Sequence, residues 1–168
     1  MESDERLMIA PEEGTSVLPG GLGAIHKLFE SDTGGSFSIV EHPLQPGILG
    51  APPHTHQNED EYSFVLEGEV GVLIGQKEFT ATPGTYIVKP RGIPHAFWNA
   101  GSEPARILEI ISPAGFEKYF DELGEVISAA GSGEPDFAKI MEIAGRYGLT
   151  MYMERMPELM EKYNLRLE

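Results

Sequence analysis

The chain has 168 residues, a formal net charge of −15 and no cysteine. This length is enough for one domain with its own hydrophobic core. The absence of cysteine excludes disulfides, thiolate metal ligands and a cysteine nucleophile, and the negative charge disfavours nucleic acid and anionic membranes as partners. The opening stretch MESDERLMIA has no apolar run of signal-peptide length, and no segment is long and apolar enough for a membrane span, so a cytoplasmic location is expected.

The first two thirds of the chain show a β pattern. Residues 1–24 contain short apolar pieces among glycines and prolines and are predicted to form an N-terminal arm with one or two edge strands. In residues 25–113, short β-rich segments alternate with Gly/Pro turns and no helical period is present, which indicates an antiparallel sandwich or barrel. Within it, EYSFVLEGEVGVLIG (61–75) predicts two strands joined by a tight hairpin at Glu67 and Gly68.

The last third, residues 114–168, has helical periodicity. The first predicted helix places its apolar residues on one face: Phe116, Tyr119, Phe120 and Leu123. A second has Pro135 in its first turn and ends near Gly148, and a short third lies around 156–164. Because this segment is short for a separate core, the helices are predicted to cover the β unit as an extension of the same domain.

The stretch PPHTHQNEDE (52–61) contains two histidines separated by one residue. On an extended strand, residues i and i+2 point the same way, so His54 and His56 could hold one metal ion, although a solvated loop is the competing interpretation. Glu61 begins the next strand, and GTYIVKPRGIPHAFWN (84–99) supplies His95 on a neighbouring strand. Three imidazoles and one carboxylate form a ligand set suited to a divalent first-row transition metal with open positions.

Around these residues the sequence resembles the cupin superfamily, in particular small single-domain cupins of the quercetin-dioxygenase-like kind. The second cupin motif, G-x5-P-x-G-x2-H-x3-N, is matched at every fixed position, by Gly84, Pro90, Gly92, His95 and Asn99. The first motif, G-x5-H-x-H-x(3,4)-E-x6-G, is matched by His54, His56, Glu61 and Gly68. Ile48 stands in place of its leading glycine. The resemblance covers about residues 25–122.

The resemblance implies a mainly β fold, with a single jelly-roll-type antiparallel β-barrel at 25–113 and the C-terminal helices packed on it. It implies one divalent transition metal (Fe, Mn, Ni, Co, Cu or Zn) bound in the barrel mouth by His54, His56, Glu61 and His95. Glu59 is the competing carboxylate, but family spacing favours Glu61. Glu59 and Asp60 are therefore expected at the solvated tip of the loop. The resemblance also implies a homodimer, in which residues 1–24 could exchange strands.

Strand parity assigns the aromatic candidates around the site. Phe97 shares the parity of His95, and Tyr86 shares that of Val88, so Phe97 and Tyr86 are expected to line the substrate pocket, with core packing as the alternative for each. Trp98 then points outward, toward the C-terminal helices or a partner. Outside the motifs, two further histidines are expected to be surface or hydrogen-bonded residues: His26 and His42.

Three functions fit this ligand set. The preferred one is a metal-dependent dioxygenase acting on a flavonol, diketone or phenolic substrate, with Glu61 as metal ligand or catalytic base. The second is a non-oxidative isomerase, epimerase or lyase with the metal as Lewis acid. A sugar phosphate would require a basic pocket, and near the motifs there are only Lys89 and Arg91, both assigned to a turn. The third is a small-molecule-binding protein without catalysis.

Overall fold

The computed structural model describes residues 8–18 and 21–167. Its first part is a series of strands with one short helix: β1 (Thr15–Leu18), β2 (Ala24–Leu28), α1 (Glu30–Thr33), β3 (Ser38–Leu44), β4 (His54–His56), β5 (Asp60–Glu67), β6 (Val70–Ile74), β7 (Lys77–Ala81), β8 (Tyr86–Lys89), β9 (His95–Asn99) and β10 (Ala105–Ser112). The remainder is mainly helical: α2 (Glu117–Ala130), α3 (Phe137–Arg146), β11 (Leu149–Met151) and α4 (Met156–Tyr163). No helix in the described ranges combines the length and apolarity needed to cross a membrane.

The strands form two antiparallel sheets of a jelly-roll type. The larger sheet has the order β1-β2-β3-β10-β5-β8, and the smaller has the order β11-β4-β9-β6-β7. The strands of the larger sheet alternate in burial, and in β3 and β10 every second residue is buried while the others are half-buried, because one sheet face meets the core. The prediction of a mainly β fold with an antiparallel jelly-roll and C-terminal helices is confirmed.

The predicted hairpin at Glu67 and Gly68 is wrong. Strand β5 pairs with β10 and β8, whereas β6 pairs with β7 and β9, so the turn carries the chain from one sheet to the other. The glycine is still required: its φ is +73°, and a Cβ there would lie 2.7 Å from the Ala105 Cα. A turn with glycine predicts that the chain reverses direction there. It does not predict whether the two flanking strands pair with each other or, as here, join different sheets.

The C-terminal helices pack on both sheets. Helices α2 and α3 share one buried cluster with the larger sheet: Leu18, Ala24, Val40, Ile111, Phe116, Tyr119, Phe120, Val126, Ile143, Ala144 and Leu149. Helix α4 covers the smaller sheet, where Trp98 lies among Leu159 and Leu165 and its ring centroid is 4.6 Å from that of Tyr163. Trp98 therefore points toward the C-terminal helices, as the strand parity predicts.

Strand β11 adds to the edge of the smaller sheet. It pairs with β4 in the register Leu149↔His56, Thr150↔Thr55 and Met151↔His54. The sequence did not predict this strand, and it links the C-terminal segment directly to the two motif histidines.

In the predicted N-terminal arm, β1 pairs with β2 of the same chain. Residues 1–7 and 19–20 of that arm lie outside the described ranges. Strand exchange in a dimer and the three domain boundaries stay predictions.

Candidate metal centre

Four side chains from three strands meet between the two sheets. His54 and His56 come from β4, His95 from β9 and Glu61 from β5. All four are buried, and one ligand atom of each lies within 4.8 Å of the others. Antiparallel pairing places His54 opposite His95, and the alternation of β4 puts His54 and His56 on the same side. The fold therefore brings together the four residues that the sequence motifs predict as metal ligands.

Backbone hydrogen bonds orient two of the imidazoles. His54 Nδ1 donates to the Pro52 carbonyl at 2.8 Å, and His95 Nδ1 donates to the Ile93 carbonyl at 3.0 Å. Burial lowers the pKa of His95 and holds the pKa of His54 well below its ordinary value, so both rings are neutral. Since a carbonyl can only accept, the proton sits on Nδ1, and Nε2 of each ring carries a lone pair.

The Glu61 carboxylate faces these lone pairs. Oε2 of Glu61 lies 3.1 Å from His95 Nε2 and 3.0 Å from Lys89 Nζ, and Oε1 lies 3.3 Å from His56 Nε2. Burial acts to raise the pKa of Glu61, but Lys89 and His56 hold it well below its ordinary value, so the group is anionic. An anionic oxygen opposite the lone pair of neutral His95 is unfavourable unless a cation lies between them. The donor set therefore fits a divalent transition metal.

The comparisons with known proteins agree with this geometry. Residues 40–111 match the family model described as Cupin domain. A Thermotoga maritima structure described as a predicted oxalate decarboxylase superposes with a TM-score of 0.59 at 19% identity, over 64% of this chain and 99% of that one. This chain therefore has the cupin fold. A sugar phosphate isomerase from the cupin superfamily of Silicibacter pomeroyi superposes with a TM-score of 0.53 at 24% identity, over 62% of this chain and 74% of that one. At these identities the structural matches show the fold alone.

Two curated relatives illustrate the breadth of the match. The germin-like protein subfamily 2 member 2 of Arabidopsis thaliana is 41% identical over 78 residues, which cover 44% of this chain and 35% of the relative. The probable oxidoreductase virH of Hypocrea virens is 25% identical over 132 residues, covering 70% of this chain and 60% of the relative. The chain therefore spans less than two thirds of the length of either relative.

His56 differs from the other two histidines of the cluster because neither of its ring nitrogens has a hydrogen bond. Its Nδ1 lies 3.5 Å from Oε2 of Glu59, an atom that also has no hydrogen-bond partner. Glu59 is only 7% exposed, so its expected place at a solvated loop tip is wrong. Asp60 instead faces the surface and pairs with the Arg91 guanidinium at 2.8 Å. Asp60 thus pairs with Arg91 at the surface, whereas the neighbouring Glu59 points inward beside the His56 ring.

A buried polar network behind Glu61 was missed from the sequence. The Lys89 side chain is 1% exposed, and its Nζ lies 2.6 Å from Glu109 Oε2, so its assignment to a turn is wrong. The same Glu109 oxygen accepts a hydrogen bond from Ser63 Oγ at 2.9 Å. Burial raises the pKa of Glu109 to about 7 in spite of the nearby ammonium group. The sequence did contain a signal for this network. In RILEIIS, Glu109 shares its strand parity with apolar residues that face the core, and a charged residue at such a position is expected to have a buried partner.

Strand β8 has the opposite orientation to the one predicted. Tyr86 is 78% exposed and its ring contacts that of Phe64 on the outer surface, with ring centroids 4.7 Å apart, so it cannot line the pocket. Ile87 and Lys89 occupy the inner face instead, because the lysine is paired there with two carboxylates. Phe97 is buried and lines the cavity described below. Its contact with substrate stays a prediction.

A cavity of about 360 Å³ opens beside the ligand cluster. Its polar lining comes from the ligands His54, His56 and Glu61, together with His42 and Glu109. His42 Nδ1 donates to the Gly23 carbonyl at 2.8 Å, and burial lowers the pKa of His42 to about 4, so this ring is neutral. The other non-motif histidine, His26, contacts Asp121 at 3.0 Å. Both are hydrogen-bonded, as predicted, and both are buried.

Proposed function

We propose that this cupin is a metal-dependent dioxygenase acting on a small organic substrate that carries an enol or phenol oxygen. The observation that carries the proposal is the position of the ligand cluster. Three of its four members, His54, His56 and Glu61, line an otherwise largely apolar cavity, so a molecule in that cavity would reach the metal directly.

In this proposal His54, His56, Glu61 and His95 hold one divalent transition metal. Such a metal supplies Lewis acidity toward a substrate oxygen and, when redox-active, a route for electrons between substrate and O2. All four of these residues are buried, and a buried, low-dielectric setting strengthens the electrostatic interactions in the site. In the proposal Glu61 takes up the proton of the substrate hydroxyl, a role supported by its negative charge and its position at the cavity.

The reaction needs no separate reductant. In a dioxygenase both atoms of one O2 enter the organic product, and the electrons come from the substrate bond that is cleaved. The composition of the products then equals that of the substrate plus O2. The Hypocrea virens relative is described as a probable oxidoreductase, which supports the oxidative assignment.

A sugar-phosphate isomerase is the alternative suggested by the name of one similar structure. None of the described residues that line the cavity is a lysine or an arginine. A phosphate dianion would instead meet the anionic carboxylate of Glu61, which repels it. The cavity therefore favours an oxygen-donor substrate of lower charge.

The test is metal analysis followed by oxygen uptake. We expect untagged protein, reloaded with Fe(II), Mn(II) or Ni(II), to bind about one metal per chain and to consume O2 with a flavonol, a 1,3-diketone or a catechol. Glu61→Gln should abolish uptake, whereas Glu67→Gln, an exposed position on the same strand, should retain it. Stoichiometric metal without O2 consumption for any of these substrates would overturn the dioxygenase proposal. Failure to bind metal would overturn the metal site itself.

A further inference from the structure

We infer that residues 116–153, which follow the region matched by the cupin domain model, form the apolar half of the substrate chamber, and that the substrate is a compact apolar molecule with a single oxygen-donor head. Residues 116–153 are called the C-terminal wall below. The inference rests on the proposed function, because the head group is the part that would meet the metal. It adds the chemical class of the remainder of the molecule and the part of the chain that selects it.

The residues of the C-terminal wall that line the chamber are apolar except for the hydroxyl of Tyr119. The lining residues come from α2, α3, β11 and the loops beside them, and examples are Phe116, Leu123, Ile140 and Met151. Tyr119 is the one lining residue of this wall with a titratable group, and burial raises its pKa to about 12, so the phenol is un-ionised. The wall therefore offers no charge to a ligand.

Apart from Tyr119, the polar lining residues come from the other half of the chamber. His42, His54, His56, Glu61 and Glu109 all belong to strands of the two sheets. The two halves meet at Phe116, whose ring centroid is 4.4 Å from that of His56. A molecule with one oxygen-donor end and an apolar body matches this division.

A second charged group on the substrate would have no partner. Burying an unpaired charge against the C-terminal wall is strongly unfavourable. Dicarboxylates and sugar phosphates are therefore disfavoured, whereas an aromatic or alicyclic ring system would bury its surface favourably. The volume of about 360 Å³ lies at the small end of the usual range for small-molecule sites, which fits a compact body.

The wall also provides the opening of the chamber. Pro135 and Phe137, beside the start of α3, line the cavity and are exposed. Leu167, farther along the chain, lines the cavity and is exposed as well. A substrate that enters between these residues with its oxygen-donor head first would bring the head to the ligand cluster. Its apolar body would then lie along the C-terminal wall.

Methionine methyl groups give a direct test on the unmodified chain. Met151 and Met153 line the chamber, whereas Met156 and Met160 pack in the separate cluster around Trp98. In metal-loaded protein labelled with 13C at the methionine methyls, 3-hydroxyflavone should shift the first pair and leave the second pair unchanged. Shifts confined to the second pair, or equal shifts of the first pair with mannose 6-phosphate or oxalate, would overturn the inference.

A matched pair of variants on α3 tests the wall itself. Ile140 lines the chamber, and the adjacent Lys139 is exposed and does not. Ile140→Trp should weaken 3-hydroxyflavone binding about tenfold or more in calorimetry, while Lys139→Trp should not. Metal content should be the same in both variants. Unchanged affinity in a folded Ile140→Trp protein would overturn the inference, and Leu123→Trp on α2 provides a second variant of the same design.

Flavone, which lacks the hydroxyl of the head group, separates this inference from the proposed function. Flavone should still shift Met151 and Met153, with lower affinity than 3-hydroxyflavone. Binding that depends on the wall, together with no O2 consumption, would sustain the chamber and reject the dioxygenase. O2 consumption that is insensitive to Ile140→Trp and Leu123→Trp would sustain the dioxygenase and reject the chamber.

Discussion

Oε2 of Glu59 lies 3.5 Å from Nδ1 of His56, while Nε2 of the same ring lies 3.3 Å from Glu61 Oε1. One imidazole thus stands between two buried carboxylates. Metal-binding histidines commonly donate the N–H of the nitrogen that does not bind the metal to a carboxylate. This hydrogen bond fixes the ring orientation and increases the basicity of the metal-binding nitrogen. Glu59 is placed to do this for His56, as the carbonyls of Pro52 and Ile93 do for the other two histidines.

Substitution of Glu59 should therefore weaken metal binding. Glu59→Gln is expected to lower metal affinity by about 10- to 100-fold, because His56 loses its charged acceptor. Competition with a chromophoric chelator measures this change. Glu67→Gln, which removes an exposed carboxylate from β5, serves as the control. Equal affinities for Glu59→Gln and the unmodified protein would show that Glu59 does not support the ligand.

Metal addition should raise the melting temperature. A ligand that binds only the folded state adds about 4 kcal/mol of stability at a free concentration of 1,000 times its Kd. In the double variant His54→Ala/His95→Ala we expect no such shift, because two of the four ligands are gone. Thermal unfolding followed by circular dichroism, with and without added Mn(II), is the measurement. A shift of equal size in the double variant would place the metal elsewhere.

The buried lysine should be important for stability. Lys89→Met leaves Glu61 and Glu109 buried without their shared cation, and breaking such a pair costs about 3–5 kcal/mol. Arg91→Met removes one partner of a surface pair and should cost about 1 kcal/mol or less. Urea unfolding of metal-free protein compares the two variants. A loss of stability in Lys89→Met no larger than in Arg91→Met would contradict the buried-network interpretation.

His42 should make the protein less stable in acid. Its pKa is about 4 in the folded protein, against an ordinary value of 6.5, so the unfolded chain binds more protons between these values. The free energy of unfolding contributed by His42 is thus fully present above pH 6.5 and is lost as the pH falls toward about 4, by up to about 3 kcal/mol. His42→Gln should show a smaller slope of stability with pH in this interval. An identical slope in both proteins would refute the assignment.

Gly71 should not tolerate a side chain. A Cβ at this position would lie 2.0 Å from Cε2 of Trp98, which is itself buried against α4. Gly71→Ala is expected to destabilise the fold by about 1–3 kcal/mol through overpacking. Gly145→Ala, in α3 and with open space at the Cβ position, should be neutral or stabilising by up to about 1 kcal/mol. Chemical denaturation of the pair measures the difference, and equal stabilities would contradict the packing argument.

The sequence predicted the site well where spacing and strand period act together. The motif spacings predict that His54, His56, Glu61 and His95 lie together. Each is on a strand, where a side chain can point only to one face of the sheet or to the other. The apolar face of α2 was predictable for the same reason, since a period of 3.6 residues leaves one stripe to bury.

The errors arose where two faces were nearly equivalent. In β8 one face carries an aromatic and an aliphatic residue and the other carries Lys89, so the sequence favours burial of the first face. The second face is buried instead, because Lys89 pairs with buried carboxylates of the neighbouring strands. The inward turn of Glu59 likewise depends on tertiary neighbours. Strand β11 has only three residues, too few for a period, and it exists because β4 offers an edge to pair with.

The pairing of β11 with β4 has a consequence for attempts to shorten this protein or to transplant its site. Between β4 and β9 the paired residues are His54 and His95, whereas β11 pairs along the full length of β4. A chain cut after Ser112 would keep all four ligand side chains and all the residues that match the cupin domain model. It would lose the strand that holds two of those ligands in register, so we expect the shortened chain to bind metal poorly although its motifs are intact.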